Sequence, residues 1–362
     1  MTLRWLEGFD NYGTTGMTGE ALETAIQLRC PNSVIYHTAE QPEDEFSILS
    51  AGYGDGLGLQ LGQSNQLLYL CVDVATSTEW SVGCAIKITG AISQYAESAG
   101  TNVIGYMSTI GGSPENYLQV SPAGVVSAWQ GSGNLLGYAN QILLPNTWYY
   151  LEYSLSCSTV DGEGSVEIRI NGTSVLIAPG TGAGTVMTND PIIAINFSGV
   201  KTEDGLRHGI LDDIYIADGL VFLGPLKVST LRPASDTTTI DWIPSTGTTH
   251  YNLLNETPAN TATYVSSNTA NASDLYAIDT LDASVVGIQG IQIEGLVNLD
   301  ANGSESLRIQ CDSNGSQVDE TFTVTDIDPI AYSIVLENDP DTSALWLPSA
   351  IDLLQVGIKY GS

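Results

Sequence analysis

The sequence predicts an all-β protein built from two sandwiches, and three observations predict it. Residues 164–177 read as two strand-like runs meeting at Asn171-Gly172, a pair that supplies the two φ > 0 positions of a type I′ hairpin turn. Val166, Ile168 and Ile170 alternate with Glu167 and Arg169, the period of a strand with one buried face. Composition agrees, with 38 glycines and 17 tyrosines and no long amphipathic period, which favours strands and turns over helices.

The 362 residues exceed most single sandwiches and suffice for two cores. Five cysteines, Cys30, Cys71, Cys84, Cys157 and Cys311, show neither CxxC spacing nor a histidine cluster, so no zinc site is expected. Cys71 and Cys84 lie in apolar runs as small buried hydrophobes, which points to folding in a reducing cytoplasm. The opening MTLRWLEGFDNYG lacks the apolar core of a signal peptide, and no run reaches the roughly 18 apolar residues that cross a bilayer. A soluble, non-exported protein with no membrane insertion is the expectation.

Along the chain, residues 19–30 suit a short helix or a loop crossing the sandwich, and the sequence leaves both open. Strands are expected at 57–61, 66–74 and 80–88, then at 117–120 and 125–129 around the Ser121-Pro122-Ala123-Gly124 turn. Residues 148–153 open a tryptophan-led strand before the hairpin, and 192–197 and 210–217 follow it. Short strands separated by turns indicate a sandwich or barrel rather than βαβ units. Composition shifts after Gly224-Pro225, and 232–244 is rich in Thr, Asp and Pro, as linkers and domain entries often are. The boundary is placed near residue 230, giving a jelly-roll domain at 1–229 and a smaller β-sandwich at 230–362. Strands are expected there at 263–266, 273–278, 285–299, 306–311, 317–324 and 331–337, with an apolar tail at 346–357.

Glu7-Gly8-Phe9-Asp10, Gly56-Leu57-Gly58-Leu59, Trp80-Ser81-Val82-Gly83, the Trp148 run, the Asn171-Gly172 hairpin and Asp212-Asp213-Ile214-Tyr215 occur in an order that resembles the concanavalin A-like (laminin G-like) jelly roll of tailed-bacteriophage structural proteins. Phe222-Leu223-Gly224-Pro225, Leu231-Arg232-Pro233, the run from Trp242 to Gly247, Tyr264 to Ser267 and Trp346-Leu347-Pro348 resemble the second module of the same proteins. The resemblance covers nearly the whole chain. It implies a place in the virion, with capsid or tail subunits and copies of itself as partners, and it implies no reaction.

Ten basic against 41 acidic residues give a formal charge of −31, which repels nucleic acid and anionic membranes alike. No direct nucleic-acid contact is expected. Jelly rolls also host glycan hydrolases, whose retaining members need two carboxyls about 5–5.5 Å apart. The ExDxxE pattern that would place them on one strand face is absent. Glu43-Asp44-Glu45 and Asp212-Asp213 are consecutive, so in an extended strand neighbouring carboxyls point to opposite faces. His37, His208 and His250 sit in polar or turn-rich contexts as surface or loop residues, and no GxSxG elbow appears. The glycine-rich runs 52–56 and 180–184 lack a phosphate-loop lysine and read as turns. A non-enzymatic protein without a cofactor is expected.

Calcium, which takes six to eight oxygen ligands, is the one metal to weigh, with Asp10, Asn11, Asp212 and Asp213 as candidates against a solvent-capped acidic strand. Tyr12, Tyr53, Tyr95, Tyr106 and Trp129 are candidates for stacking on sugars, although such residues more often pack in cores. The reading is a virion surface protein, as head decoration or head fibre. The alternatives are a tail-associated adhesin for host surface glycan and, behind it, a glycosidase.

Overall fold

A computed structural model describes residues 2–13, 16–29, 34–36, 46–49, 52–61, 67–71, 77–89, 100–107, 114–131, 133–158, 164–179, 194–201 and 207–361. The chain divides into two compact units, Met1–Val228 and Ser229–Ser362. Both are built from antiparallel strands.

The first unit is a sandwich of a nine-stranded and a seven-stranded sheet. The first sheet runs Thr173–Pro179, Ser165–Ile170, Trp148–Ser156, Glu79–Lys87, Arg207–Asp218, Gly58–Leu61 and Phe46–Leu49 in spatial order, with Thr2–Glu7 and Val200–Lys201 also paired to Arg207–Asp218. The second runs Asn134–Ile142, Val125–Gln130, Asn116–Val120, Thr101–Met107, Ala194–Phe197, Leu67–Cys71 and Val34–Tyr36. In each sheet, pairings between strands distant in sequence, such as Trp148–Ser156 with Glu79–Lys87 and Ala194–Phe197 with Leu67–Cys71, join runs of consecutive strands, as in a jelly-roll sandwich rather than a simple meander.

Alternation decides which residues meet between the sheets. Val82, Cys84 and Ile86 from one side and Tyr106, Leu118, Val120 and Val126 from the other form one continuous core. At 5.4 Å between ring centroids, Tyr106 packs on Tyr153, and its hydroxyl donates to the Tyr153 carbonyl at 2.8 Å. The phenol thus links the two sheets through the core. In the hairpin, Val166, Ile168 and Ile170 are buried while Glu167 and Arg169 are half-buried. Asn171 and Gly172 take φ of 52° and 77°, as a type I′ turn requires. The Asn171 side chain also accepts from the Tyr150 amide at 2.9 Å, tying the turn to the next strand.

Residues 19–30, left open between helix and loop, form the helix Gly19–Arg29. Leu22 and Ile26, one turn apart, are buried in the sandwich core, and that packing decides the helix. The expected strands 66–74 and 192–197 are strands at Leu67–Cys71 and Ala194–Phe197; their remaining residues lie outside the described set.

The second unit centres on a five-stranded sheet in the order Pro233–Ile240, Ser273–Ile278, Gln355–Tyr360, Glu305–Ser313 and Ser316–Val324. A separate ladder, Ile291–Val297 with Ile330–Leu336, packs over it through Ile293 and Ile334, which meet Ile309, Cys311 and Trp346 in the core. Of the two readings left open for 232–244, linker or domain entry, the strand Pro233–Ile240 decides for domain entry. Its residues are half-buried or exposed and a proline opens it, as edge strands allow, so no hydrophobic run announces it. The strand expected at 285–299 begins only at Ile291, because the segment before it is open to solvent, with Val286 97 % exposed.

Candidate functional site: a buried acidic junction on the first sheet

The register of Arg207–Asp218 against Glu79–Lys87 slips between Asp212, opposite Ala85, and Tyr215, opposite Gly83. The bulge puts Asp213 at φ 47°, a left-handed conformation that aspartate tolerates better than most residues. Leu211 and Ile214 both enter the core, so Asp212 and Asp213 share the outer face. This corrects the opposite-face expectation, which held for a regular strand only.

Three other chain segments converge on this pair. The Asp213 amide donates to Asp212 Oδ1 at 2.8 Å and the Tyr53 amide to Asp212 Oδ2 at 2.7 Å. Val228 N–H donates to Asp213 Oδ1 at 2.7 Å, and Leu57 N–H to Asp10 Oδ1 at 2.8 Å. Lys227 Nζ closes the junction by donating to the Gly54 carbonyl at 2.9 Å. At position 52 a Cβ would stand 2.6 Å from Asp212 Oδ2, so the loop reaches the carboxylate only because Gly52 has no side chain.

Asp212 is 1 % exposed and Asp213 2 %, which corrects the picture of an acidic strand capped by solvent. Burial, and then the neighbouring Asp213 charge, hold the Asp212 carboxyl well above the usual carboxylate range. Burial also raises Asp213, against the pull of the Val228 amide and the Lys227 charge. The pair therefore retains protons where surface carboxylates are ionised.

Among the described residues, no group of three or more His, Cys, Asp or Glu side chains is arranged to hold a metal ion. Asp10 and Asn11 lie in the single turn Asp10–Tyr12. Asp213 Oδ2, however, is buried without a hydrogen-bond partner, and a bare carboxylate oxygen is the donor a hard cation takes. Of the pair's four carboxylate oxygens it is the only one so placed, since Asp212 Oδ1, Asp212 Oδ2 and Asp213 Oδ1 already accept amides.

No protein-family model matches the sequence, and no characterised protein matches it in sequence. Among solved structures, the PL-14 alginate lyase from Aplysia kurodai is similar at TM-score 0.42 and 12 % identity, over 60 % of this chain and all of that one. The catalytic domain of a glycoside hydrolase family 131 protein from Coprinopsis cinerea is similar at 0.41 and 11 %, over 62 % of this chain and 98 % of that one. Trypanosoma rangeli sialidase is similar at 0.33 and 11 %, and the match spans only 26 % of its length. At these scores and identities neither chemistry nor substrate carries over.

Two further buried carboxylates were not singled out from the sequence. Glu7, 3 % exposed, accepts from the Phe9 amide and the Tyr12 hydroxyl, both at 2.9 Å. Arg29 lies 3.4 Å from it, so the helix is tied to the first strand. Glu152 is fully buried and accepts from Tyr215 OH and the Gly224 amide, each at 2.8 Å. Ser81 extends this strapping, donating its hydroxyl to the Gly219 carbonyl at 2.8 Å and accepting from Val221 N–H at 3.0 Å. Arg169 stacks over Phe222 at 3.9 Å. Residues 219–228 thereby lie along the outer face of the first sheet. The one sequence signal for Glu152 is a lone acid in the apolar run WYYLEYSL.

The second unit holds a comparable knot. Asp274, fully buried, accepts from the Asp241 and Trp242 amides at 2.7 and 2.8 Å. Its other oxygen meets His250 Nδ1 and Tyr276 OH, both at 2.7 Å. His250 lies in a loop, as one half of the expectation had it, but at 5 % exposure it is not a surface residue: the buried carboxylate requires partners and the imidazole supplies one. No serine hydroxyl is bonded to the imidazole in this network; its other members are amides and a phenol.

Tyr12 and Tyr106 are core residues at 1 % and 0 % exposure. Tyr53 packs edge-on to Trp148 at 5.7 Å, and Trp129 stacks on the buried Tyr117 at 6.4 Å. His208 lies within Arg207–Asp218. Residues 43–45, His37, Tyr95, Cys30 and 180–184 lie outside the described residues.

Proposed function

We propose that this chain is a non-enzymatic structural protein of a bacteriophage virion, displayed on the particle surface as head decoration or head fibre. The observation that supports this best is the use of its buried carboxylates. Glu7, Glu152, Asp212, Asp213 and Asp274 each accept backbone N–H groups, so the groups that could do acid–base chemistry hold loops onto sheets instead. Asp212 and Asp213 are also closed to solvent, beyond the reach of a polysaccharide. A charge of −31 suits a surface facing away from packaged DNA. Such a module works mechanically, as a stiff β scaffold whose loops are pinned at their bases.

The acidic junction gives the scaffold a built-in clasp. Protons neutralise Asp212 and Asp213 at acidic pH, and above neutrality calcium supplies the missing positive charge.

Immunogold electron microscopy of purified particles, with an antibody against residues 230–362, tests the reading. Labelling spread over the head supports it. Labelling confined to the tail tip gives the lead to a glycan-binding adhesin, and unlabelled particles overturn the virion role.

A further inference from the structure

We infer that two copies of this chain meet through the exposed outer face at the end of the second sheet, centred on Tyr138 and Ile142. This concerns the chain itself and stands whether or not the virion reading does.

Between Glu115 and Glu152 the sequence contains no Asp, Glu, Lys or Arg, although the chain carries −31 overall. That charge-free stretch forms the last three strands of the sheet, Asn116–Val120, Val125–Gln130 and Asn134–Ile142, the last being its edge. Tyr138 stands opposite Ser127 and Ile142 opposite Val125. Val126 and Ala128 point into the core, so the residues alternating with them, and their partners, lie on the outer face. There Tyr138 is 61 % exposed, Ile142 54 % and Leu144, continuing the alternation, 57 %.

Natural edge strands are guarded by charge. In the second unit, the edge Ser316–Val324 carries exposed Asp319 and Glu320. Asn134–Ile142 carries no charge; Gly137 packs against Leu176 of Thr173–Pro179, so what the strand offers a partner is its outer face. A basic partner would favour the acidic surface that abounds elsewhere, whereas a second copy carrying the same −31 is repelled everywhere except on a surface without charge. The charge-free apolar face therefore selects its own copy, and a two-fold contact sets Tyr138 and Ile142 against the same face of the partner.

Sedimentation velocity of the full chain over a wide concentration range tests this. A reversible dimer is expected, and it should strengthen toward about 1 M salt, where screening within ~3 Å removes repulsion between the copies. Tyr138→Glu and Ile142→Glu should each weaken association about tenfold or more by placing like charges together. Leu353→Glu, at an equally exposed site of the second unit (66 %), should leave it unchanged. Should the variants fold poorly by circular dichroism, hydrogen exchange of the wild type decides, with amides of 134–142 gaining protection as concentration rises. A wild type that stays monomeric at every concentration and salt, equal effects of all three variants, or protection that does not depend on concentration would overturn the inference.

Discussion

The amide of Asp213 donates to the carboxylate of Asp212 at 2.8 Å, and the bulge that allows this turns both acids onto the outer face of the sheet. One irregular residue converts two acids expected on opposite faces into a buried pair that ties the strand to loop 52–57 and to residues 227–228. Stability should follow the charge state of that pair.

Both carboxyls are raised in the folded state, Asp212 to about 9 and Asp213 to about 7. A raised acid favours the fold while protonated. Its contribution is complete below the ordinary carboxylate range and is lost as pH climbs through neutrality toward 9. In chelator, the melting temperature of the first unit should therefore fall steadily from pH 5 to pH 9. Asp213→Asn should flatten the dependence, and an equal slope in wild type and variant would refute this account of the pair.

Calcium should reverse that loss. At alkaline pH the ion replaces the departed protons, so millimolar calcium should raise the melting temperature and should do little at pH 5, where protons hold the site. Asp213→Asn, which alters the carboxyl bearing the unpartnered oxygen, should abolish the response. Titration by differential scanning calorimetry reads both effects, and an identical melting temperature with calcium and with chelator at pH 8.5 counts against the cation.

How far the sequence could be read differs sharply between the regular strands and the junctions. The hairpin at Asn171-Gly172 was legible because period-2 burial and turn chemistry are local, and Glu79–Lys87 because it is a continuous apolar run, buried along all but its ends. Pro233–Ile240 was not, since an exposed edge strand has no apolar alternation to display. The Asp212–Asp213 site was legible in composition but not in geometry, because a bulge depends on how the partner strand is registered. The burial of Glu152 and of His250 was not legible for a related reason: their partners, Gly224 and Asp274, lie 72 and 24 residues away, and only the fold brings them together.

Tyr106→Phe should destabilise the first unit by about 1–2 kcal/mol, since it removes one buried hydrogen bond between the sheets while keeping the ring. Urea denaturation followed by tryptophan fluorescence measures it. A loss above 4 kcal/mol would mean that packing was disturbed, and no loss would mean that the Tyr153 carbonyl finds another donor.

Asp274→Ala should weaken the second unit by more, about 3–5 kcal/mol, because two amides, the imidazole and the Tyr276 hydroxyl lose their acceptor together. Calorimetry of the full chain should show one transition shifted down with the other in place. A uniform shift of both would contradict the confinement of this network to one unit.

The central claim is that the chain serves as a structural component of a phage particle. Quantitative mass spectrometry of purified particles tests it most directly, by the copy number of this chain relative to the major capsid subunit. The account predicts a high, fixed copy number in washed particles, together with no release of reducing sugar from host polysaccharide. Absence of the chain from washed particles, or catalytic sugar release by the purified protein, would contradict it.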